Sequence, residues 1–227
     1  MIKEIQIADY KVGPGQPCFI IAEAGVNHNG DMRLARELIK AAVVVGADAI
    51  KFQSYVTEEL VTLTAPQAPY QKLSVPSTQF QMLKALELSQ QQQTELAAYC
   101  ASLDIVFLST PYDMPSVDLL DELGVAAFKL ASADVTNTPL LCYAARKGCP
   151  IILSTGMSNL DDVSLGVSAM RASGFTDVCL LHCTSAYPAA IEEANLRAIA
   201  TLERSFDCPV GFSDHTVGIN ASQWAVA

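Results

Sequence analysis

CFIIAEAGVNHNGDMRLARELIKAAVVVGADAIKFQS (residues 18–54) is an apolar run, a polar turn, an amphipathic run and a second apolar run. CFIIAEAG (18–25) is β-rich and almost continuously apolar, and Gly25 closes it, so it is expected to be a strand. MRLARELIKAAVVVG (32–46) spaces its apolar residues near the helical repeat behind Asp31, whose short carboxylate suits an N-cap. ADAIKFQS (47–54) is the next expected strand. Strands with hardly any polar face are covered on both sides, the signature of parallel sheet in an α/β protein.

The same rhythm continues. IVFLST (105–110), AAFKLAS (126–132), PIILST (150–155), DVCLLHCTS (177–185) and CPVGFSD (208–214) read as strands, with helices expected near 90–103, 114–123, 138–148, 160–173 and 192–206. That makes seven strand–helix units, the seventh helix only begun at 218–227. A dinucleotide-binding sheet would carry a Gly-rich loop after its first strand, and GVNHNGD (25–31) lacks G-x-G-x-x-G. The expected fold is therefore a TIM-type (β/α)8 barrel with seven of its eight units in this chain. Residues 1–17, rich in Gly and Pro, are expected as an N-terminal appendage to a barrel domain over 18–227. The long interruption 54–89 contains Pro66, Pro69 and Pro76 and is expected to form a loop and short helix over the barrel mouth.

Composition excludes several classes. Hydrophobic residues make up 51% and charged residues 17%, enough to build a core and too apolar for a disordered chain. A net charge of −10 argues against nucleic acid and anionic membranes as partners, though not against a small anion held by a few buried cations. The N-terminus lacks the basic start and apolar stretch of a signal peptide, and no run approaches a membrane span, so a cytoplasmic protein is expected. Seven cysteines, an odd set without C-x-x-C, are expected to be reduced and structural.

In barrels of this kind the reactive groups gather at strand C-termini. Side chains alternate between faces along a strand. If Ile50 and Phe52 pack against helices, Lys51 and Gln53 point the other way, into the barrel, and the same parity turns Lys129 inward. A buried ammonium needs an anion or a carboxylate. One such lysine could snorkel to the rim or pair structurally with Glu23; two near strand ends favour an anion site. Strand ends also supply Ser109-Thr110, Ser132, Ser154-Thr155-Gly156, Thr184-Ser185 and Ser213, hydroxyls suited to phosphate or carboxylate. Glu23 stands at the rim, either as counter-ion to Lys51 or as a catalytic carboxylate. Asp134, just past Lys129, either caps a turn or moves a proton. Of the three histidines, His215 is the best metal candidate, His182 lies deeper and reads as structural, and His28 belongs to a tight turn.

AEAGVNHNGD (22–31), IKFQ (50–53), FLSTPYD (107–113), FKLAS-D (128–134), ILSTGM (152–157), LHCTSAYP (181–188) and GFSDHT (211–216) together resemble the ordered motif series of the sialic acid synthases. That group includes N-acetylneuraminate, legionaminate and pseudaminate synthases. The resemblance implies condensation of phosphoenolpyruvate with an open-chain N-acetylated hexosamine, such as N-acetylmannosamine, giving a nine-carbon 2-keto sugar acid and phosphate. It implies a divalent ion, Mn2+ or Mg2+, with His215 as one of two metal histidines, and a homodimer in the full-length form. By the same resemblance Lys51, Lys129, Thr110, Ser132, Ser154 and Ser213 hold phosphoenolpyruvate, and Gln53 and Tyr187 contact the amino sugar. Ser185 stands where several members carry Asn, and Asp134 where some carry Glu. Glu23 and Asp134 are the expected catalytic carboxylates beside the two lysines. The eighth strand and a C-terminal antifreeze-like domain of such enzymes are not in these 227 residues, which alone are expected to be inactive. Two alternatives stand beside this reading. One is a synthase of 3-deoxy sugar acids from phosphorylated aldoses, disfavoured because arginines 33, 36, 146, 171 and 197 fall in expected helices. The other is a truncated barrel serving as a binding or assembly subunit.

Overall fold

A computed structural model describes residues 4–66 and 78–227 of the chain. Residues 5–12 form a hairpin in which β1 (Ile5–Ile7) pairs antiparallel with β2 (Tyr10–Val12). The chain then divides into two units, residues 20–125 and residues 1–19 with 126–227.

In the first unit the strands are β3 (Ile21–Gly25), β4 (Ala49–Ser54) and β5 (Val106–Pro111), all parallel, with β4 between the other two. The helix α1 (Met32–Val44) starts where Asp31 accepts hydrogen bonds from the N–H groups of Arg33 and Leu34, as its position as N-cap predicts. It buries Ala35, Ile39 and Ala42, one stripe at the helical repeat. Among its described residues, the segment read as a loop with one short helix holds two, α2 (Thr57–Leu60) and α3 (Gln79–Leu86); Pro69 and Pro76 lie outside the described residues. α4 (Gln90–Ala101) and α5 (Met114–Glu122) complete the unit.

The register confirms the reading of faces. Ile50 is opposite Phe107 and Phe52 opposite Ser109, whereas Lys51 is opposite Leu108 and Gln53 opposite Thr110. Phe52 and Phe107 stack at 5.8 Å, and each such buried ring contributes about 2–3 kcal/mol. On that same face Ser54 donates to Gln93 Oε1 of α4, which spends its one proton, so Ser109 must donate to Ser54. Ser109, grouped by sequence with the strand-end hydroxyls, thus belongs to the packing of helix on sheet, and Thr110 alone of that pair shares the Lys51 face.

The second unit repeats the pattern with β6 (Phe128–Leu130), α6 (Thr138–Arg146), β7 (Ile151–Ser154), α7 (Leu160–Ala172), β8 (Val178–Cys183), α8 (Arg197–Ser205), β9 (Val210–Ser213) and α9 (Asn220–Val226). The four strands are parallel and adjacent in chain order. Among the boundaries that differ from expectation, two have a cause in 3-10 turns. β6 stops two residues early because Ser132–Asp134 already form a 3-10 turn. α8 begins at 197 rather than 192 because a separate 3-10 turn occupies Ile191–Glu193 and Asn195 takes a left-handed φ of 41°. The pairings Lys129 with Ile152, Ser154 with Leu181 and Cys183 with Ser213 put Lys129, Ser154, Cys183 and Ser213 on one face. His182, on the other, packs against Phe212 and meets the Ala194 carbonyl at 2.8 Å, a structural role as read from its depth.

One residue in the first unit ties strand ends together. Asp113 accepts from Ser116 N through one oxygen and from Val56 N through the other, both at 2.7 Å, so it caps α5 and fixes the chain leaving β4. Replacing it by Ala strands two buried N–H groups, and equilibrium urea unfolding of Asp113→Ala should show a loss of about 2–3 kcal/mol.

Candidate active site

In the first unit the site residues converge on Lys51. Its ammonium is 2.6 Å from Glu23 Oε2 and donates to Thr110 Oγ1 at 3.3 Å; Lys51 is 7% exposed, whereas the Glu23 side chain is half exposed at 55%. Glu23 faces Lys51 across the β3–β4 pairing, and the register slips directly after it, between Glu23 and Gly25. Gly25 takes φ +53°, a left-handed conformation that costs glycine nothing. A Cβ there would lie 3.2 Å from Glu23 Oε1 and 3.7 Å from Gln53 Nε2. The carboxylate and the Gln53 amide therefore crowd the turn that only a bare backbone leaves open. The loop beyond is the tight turn expected around His28: Asn29 and Gly30 also have positive φ, and His28 Nδ1 accepts from Gly30 N. That bond leaves the proton on Nε2, a buried donor without a partner, and burial pulls the His28 pKa below 6.5.

In the second unit the ammonium of Lys129, 6% exposed, donates to Ser154 Oγ at 2.5 Å and to the Leu130 carbonyl at 3.0 Å. Two residues along, the Gly156 N–H donates to Ser132 Oγ at 3.0 Å, and Ser132 Oγ lies 3.2 Å from Cys183 Sγ. A Cβ on Gly156 would sit 2.6 Å from both the Cys183 carbonyl and its sulfur, so the turn is pressed onto the end of β8. An ammonium, two hydroxyls and a backbone N–H at neighbouring strand ends form a surface that offers hydrogen bonds to a multi-oxygen anion. Asp134 closes this region. Its Oδ1 accepts from Asn137 Nδ2 at 3.2 Å, while Oδ2 is buried without a partner. Burial raises its pKa above the usual carboxylate value, only partly opposed by the Asn137 bond and the field of Lys129.

The third expected group forms around His215. Ser213 Oγ lies 3.3 Å from its Nε2, and the Tyr187 ring, 56% exposed, is centred 4.4 Å from the imidazole. Nδ1 is 2.7 Å from the Thr184 carbonyl. A carbonyl only accepts, so Nδ1 carries the proton and Nε2 presents a lone pair, the form a metal-binding histidine needs. The donor count does not match: among the described residues no group of three or more His, Cys, Asp or Glu could hold a metal ion. His215 fits as one ligand and the set does not fit as a site. Ser185 is exposed beside the Gly156 turn, its Oγ 2.9 Å from where a Cβ would be.

Cys183 was missed by the sequence reading, which took every cysteine as structural. Its signal was available: it shares strand parity with Leu181 and Ser185 in LHCTSAYP and ends the strand. All six arginines lie in helices: 33 and 36 in α1, 146 in α6, 171 in α7, and 197 and 204 in α8.

Known proteins resemble this chain along most of its length. The chain is 47% identical to the N,N'-diacetyllegionaminic acid synthase of Legionella pneumophila, over 94% of this chain and 62% of that protein. It is 39% identical to the N-acetylneuraminate-9-phosphate synthase of Mus musculus, over 95% of this chain and 60% of that protein. The crystal structure of N-acetylneuraminic acid synthetase from Leptospira borgpetersenii superposes with a TM-score of 0.88 at 36% identity, covering all of this chain and 75% of that one. The chain thus spans about three fifths of the length of these curated relatives. Its fold is the parallel α/β barrel type, with seven strand–helix units. Residues 38–227 match the NeuB family, and with the relatives at 39–47% identity this establishes that the chain belongs to it.

Proposed function

We propose that this chain is the barrel portion of a phosphoenolpyruvate-dependent enzyme that makes nine-carbon 2-keto sugar acids from N-acetylated hexosamines. Beside family membership, the observation that carries the reading is the buried Lys129 ammonium on Ser154, adjoining the Ser132–Gly156 pair. Such donors suit a compact anion bearing phosphate and carboxylate, and Lys51 with Thr110 supplies a second ammonium–hydroxyl pair. The placement of all six arginines on helices speaks against a phosphorylated aldose as co-substrate, whose second phosphate would call for further strand-end cations. Where the full-length enzyme works, we propose the cytoplasm, as a homodimer.

In the proposed reaction C3 of phosphoenolpyruvate attacks the aldehyde carbon, forming the C–C bond, and the aldehyde oxygen takes a proton. Water adds to the electron-poor C2 and loses a proton, balancing the one taken by the aldehyde oxygen; the C2–O bond to phosphate then breaks as the C2 hydroxyl gives up its remaining proton to the phosphate, leaving the ketone. One water is consumed and one phosphate released. Lys129 and the hydroxyls beside it would hold the enol phosphate so that attack is effectively intramolecular, and they would meet the charge that grows on the leaving phosphate. Asp134, with its raised pKa, retains a proton more readily than an ordinary carboxylate and is suited to deliver one to the alkoxide. Glu23, half exposed, is placed to orient water or the sugar. A Mn2+ or Mg2+ ion would polarise the aldehyde, and His215 would supply one ligand in the right tautomer.

Three measurements on the full-length protein test this. Phosphate release from phosphoenolpyruvate should require an N-acetylated hexosamine, with phosphorylated aldoses at least ~100-fold poorer because their second phosphate would lie unpaired; the opposite preference would overturn the assignment. Lys129→Met should abolish phosphoenolpyruvate binding in calorimetry, and retained affinity would remove the lysine from the account. Because the folded-state pKa of Asp134 is raised, the native state binds more protons than the unfolded one just above pH 3.8. The Asp134 contribution to stability is therefore lost as pH rises from 3.8 through the raised value. Urea midpoints of wild type and Asp134→Asn should diverge across that window, the wild type losing ground with rising pH; parallel curves would contradict the burial argument.

A further inference from the structure

Ser132 makes a hydrogen-bond problem that the phosphoenolpyruvate reading leaves open. A hydroxyl has one proton and two lone pairs. The Gly156 N–H, at 3.0 Å, occupies one lone pair of Ser132 Oγ. For the Ser132 proton to reach a bound anion rather than turn inward, the second lone pair needs a donor of its own. Cys183 Sγ lies at 3.2 Å, and the thiol can act as a weak donor or acceptor. The sulfur cannot easily withdraw. Cys183 is 3% exposed, and the Gly156 turn sits against it closely enough that a Cβ would meet its sulfur and carbonyl at 2.6 Å. Ser132, Gly156 and Cys183 come from the ends of β6, β7 and β8, so the contact also ties three strand ends together.

We propose that Cys183 is a positioning residue: its S–H donates to Ser132 Oγ and so directs the Ser132 hydroxyl proton at the anion that the site binds. This rests on the anion site proposed above. With the site empty, Ser132 donates to the sulfur. When an anion arrives, the Ser132 proton turns outward and the thiol hydrogen takes its place, so no polar atom is left unpaired in either state.

The test uses the full-length protein with phosphoenolpyruvate as the probe. Cys183→Ala and the larger Cys183→Val both remove the donor, so one folded variant suffices; Cys183→Ser restores a donor of similar size. Loss of one hydrogen bond predicts a KM for phosphoenolpyruvate raised about 3- to 10-fold, kcat within about 2-fold, and weaker binding in calorimetry by the same factor. Cys183→Ser should return to within about 2-fold of wild type. In a Ser132→Ala background, Cys183→Ala should add nothing. A donor-less variant with wild-type KM would overturn the inference, as would a defect that persists undiminished in the Ser132→Ala background or a serine variant no better than alanine. Wild-type protein that fails to bind phosphoenolpyruvate would instead overturn the proposed function itself.

Discussion

A lysine ammonium at a buried strand end must be met by oxygen, and much of the local structure follows from that requirement. An uncompensated charge in such a place costs several kcal/mol, more than most single contacts return. Lys51 is met by a carboxylate and a hydroxyl. Lys129 is met by a hydroxyl and a backbone carbonyl. Each solution fixes the sequence nearby: Thr110 must share the Lys51 face of β5, Ser154 must end β7 beside Lys129, and the strands must stay in register for either to reach. The packing face does the rest. Phe52, Phe107, Ser54, Ser109 and Gln93 form a dry layer with its hydrogen bonds closed internally, which leaves the other face of the same strands free for chemistry.

This division also explains what could be read from the sequence. Strand and helix order, the parity of Lys51 and Lys129, the Asp31 cap and the positive-φ turn near His28 are local properties, set by period-two and period-3.6 patterns and by short capping side chains. Each is present in the structure. What the sequence did not reveal depends on register between strands. Ser109 looked like Thr110 until pairing with Phe52 placed it on the packing face. Cys183 looked like a small core residue until parallel pairing set it opposite Ser213 and beside Ser132. The boundary errors have the same origin: 3-10 turns at 132–134 and 191–193 use side-chain and loop contacts that a propensity window does not register.

The two carboxylates near the lysines are placed in opposite environments. Asp134 is buried with one oxygen unpaired, and burial favours its neutral form. Glu23 is half exposed and in direct contact with an ammonium. Burial favours a proton on Asp134, whereas Glu23 serves as the oxygen partner of Lys51.

The Glu23–Lys51 pair adds a further consequence. On the proposed function Lys51 awaits an anionic ligand, and a buried ammonium is costly unless something stands in for that ligand. Glu23 can do so because its side chain is exposed enough to swing aside, and Gly25 leaves no Cβ to lock it in place. An anion reaching Lys51 then exchanges one oxygen partner for another, and the ammonium is paired before and after. The affinity of that step is reduced by the strength of the bond it displaces. In return, the free protein does not carry a bare charge in its interior. Removing the Glu23 carboxylate would therefore tighten anion binding at Lys51 while destabilising the unliganded fold. The same residue serves stability in one state and gives way to function in the other.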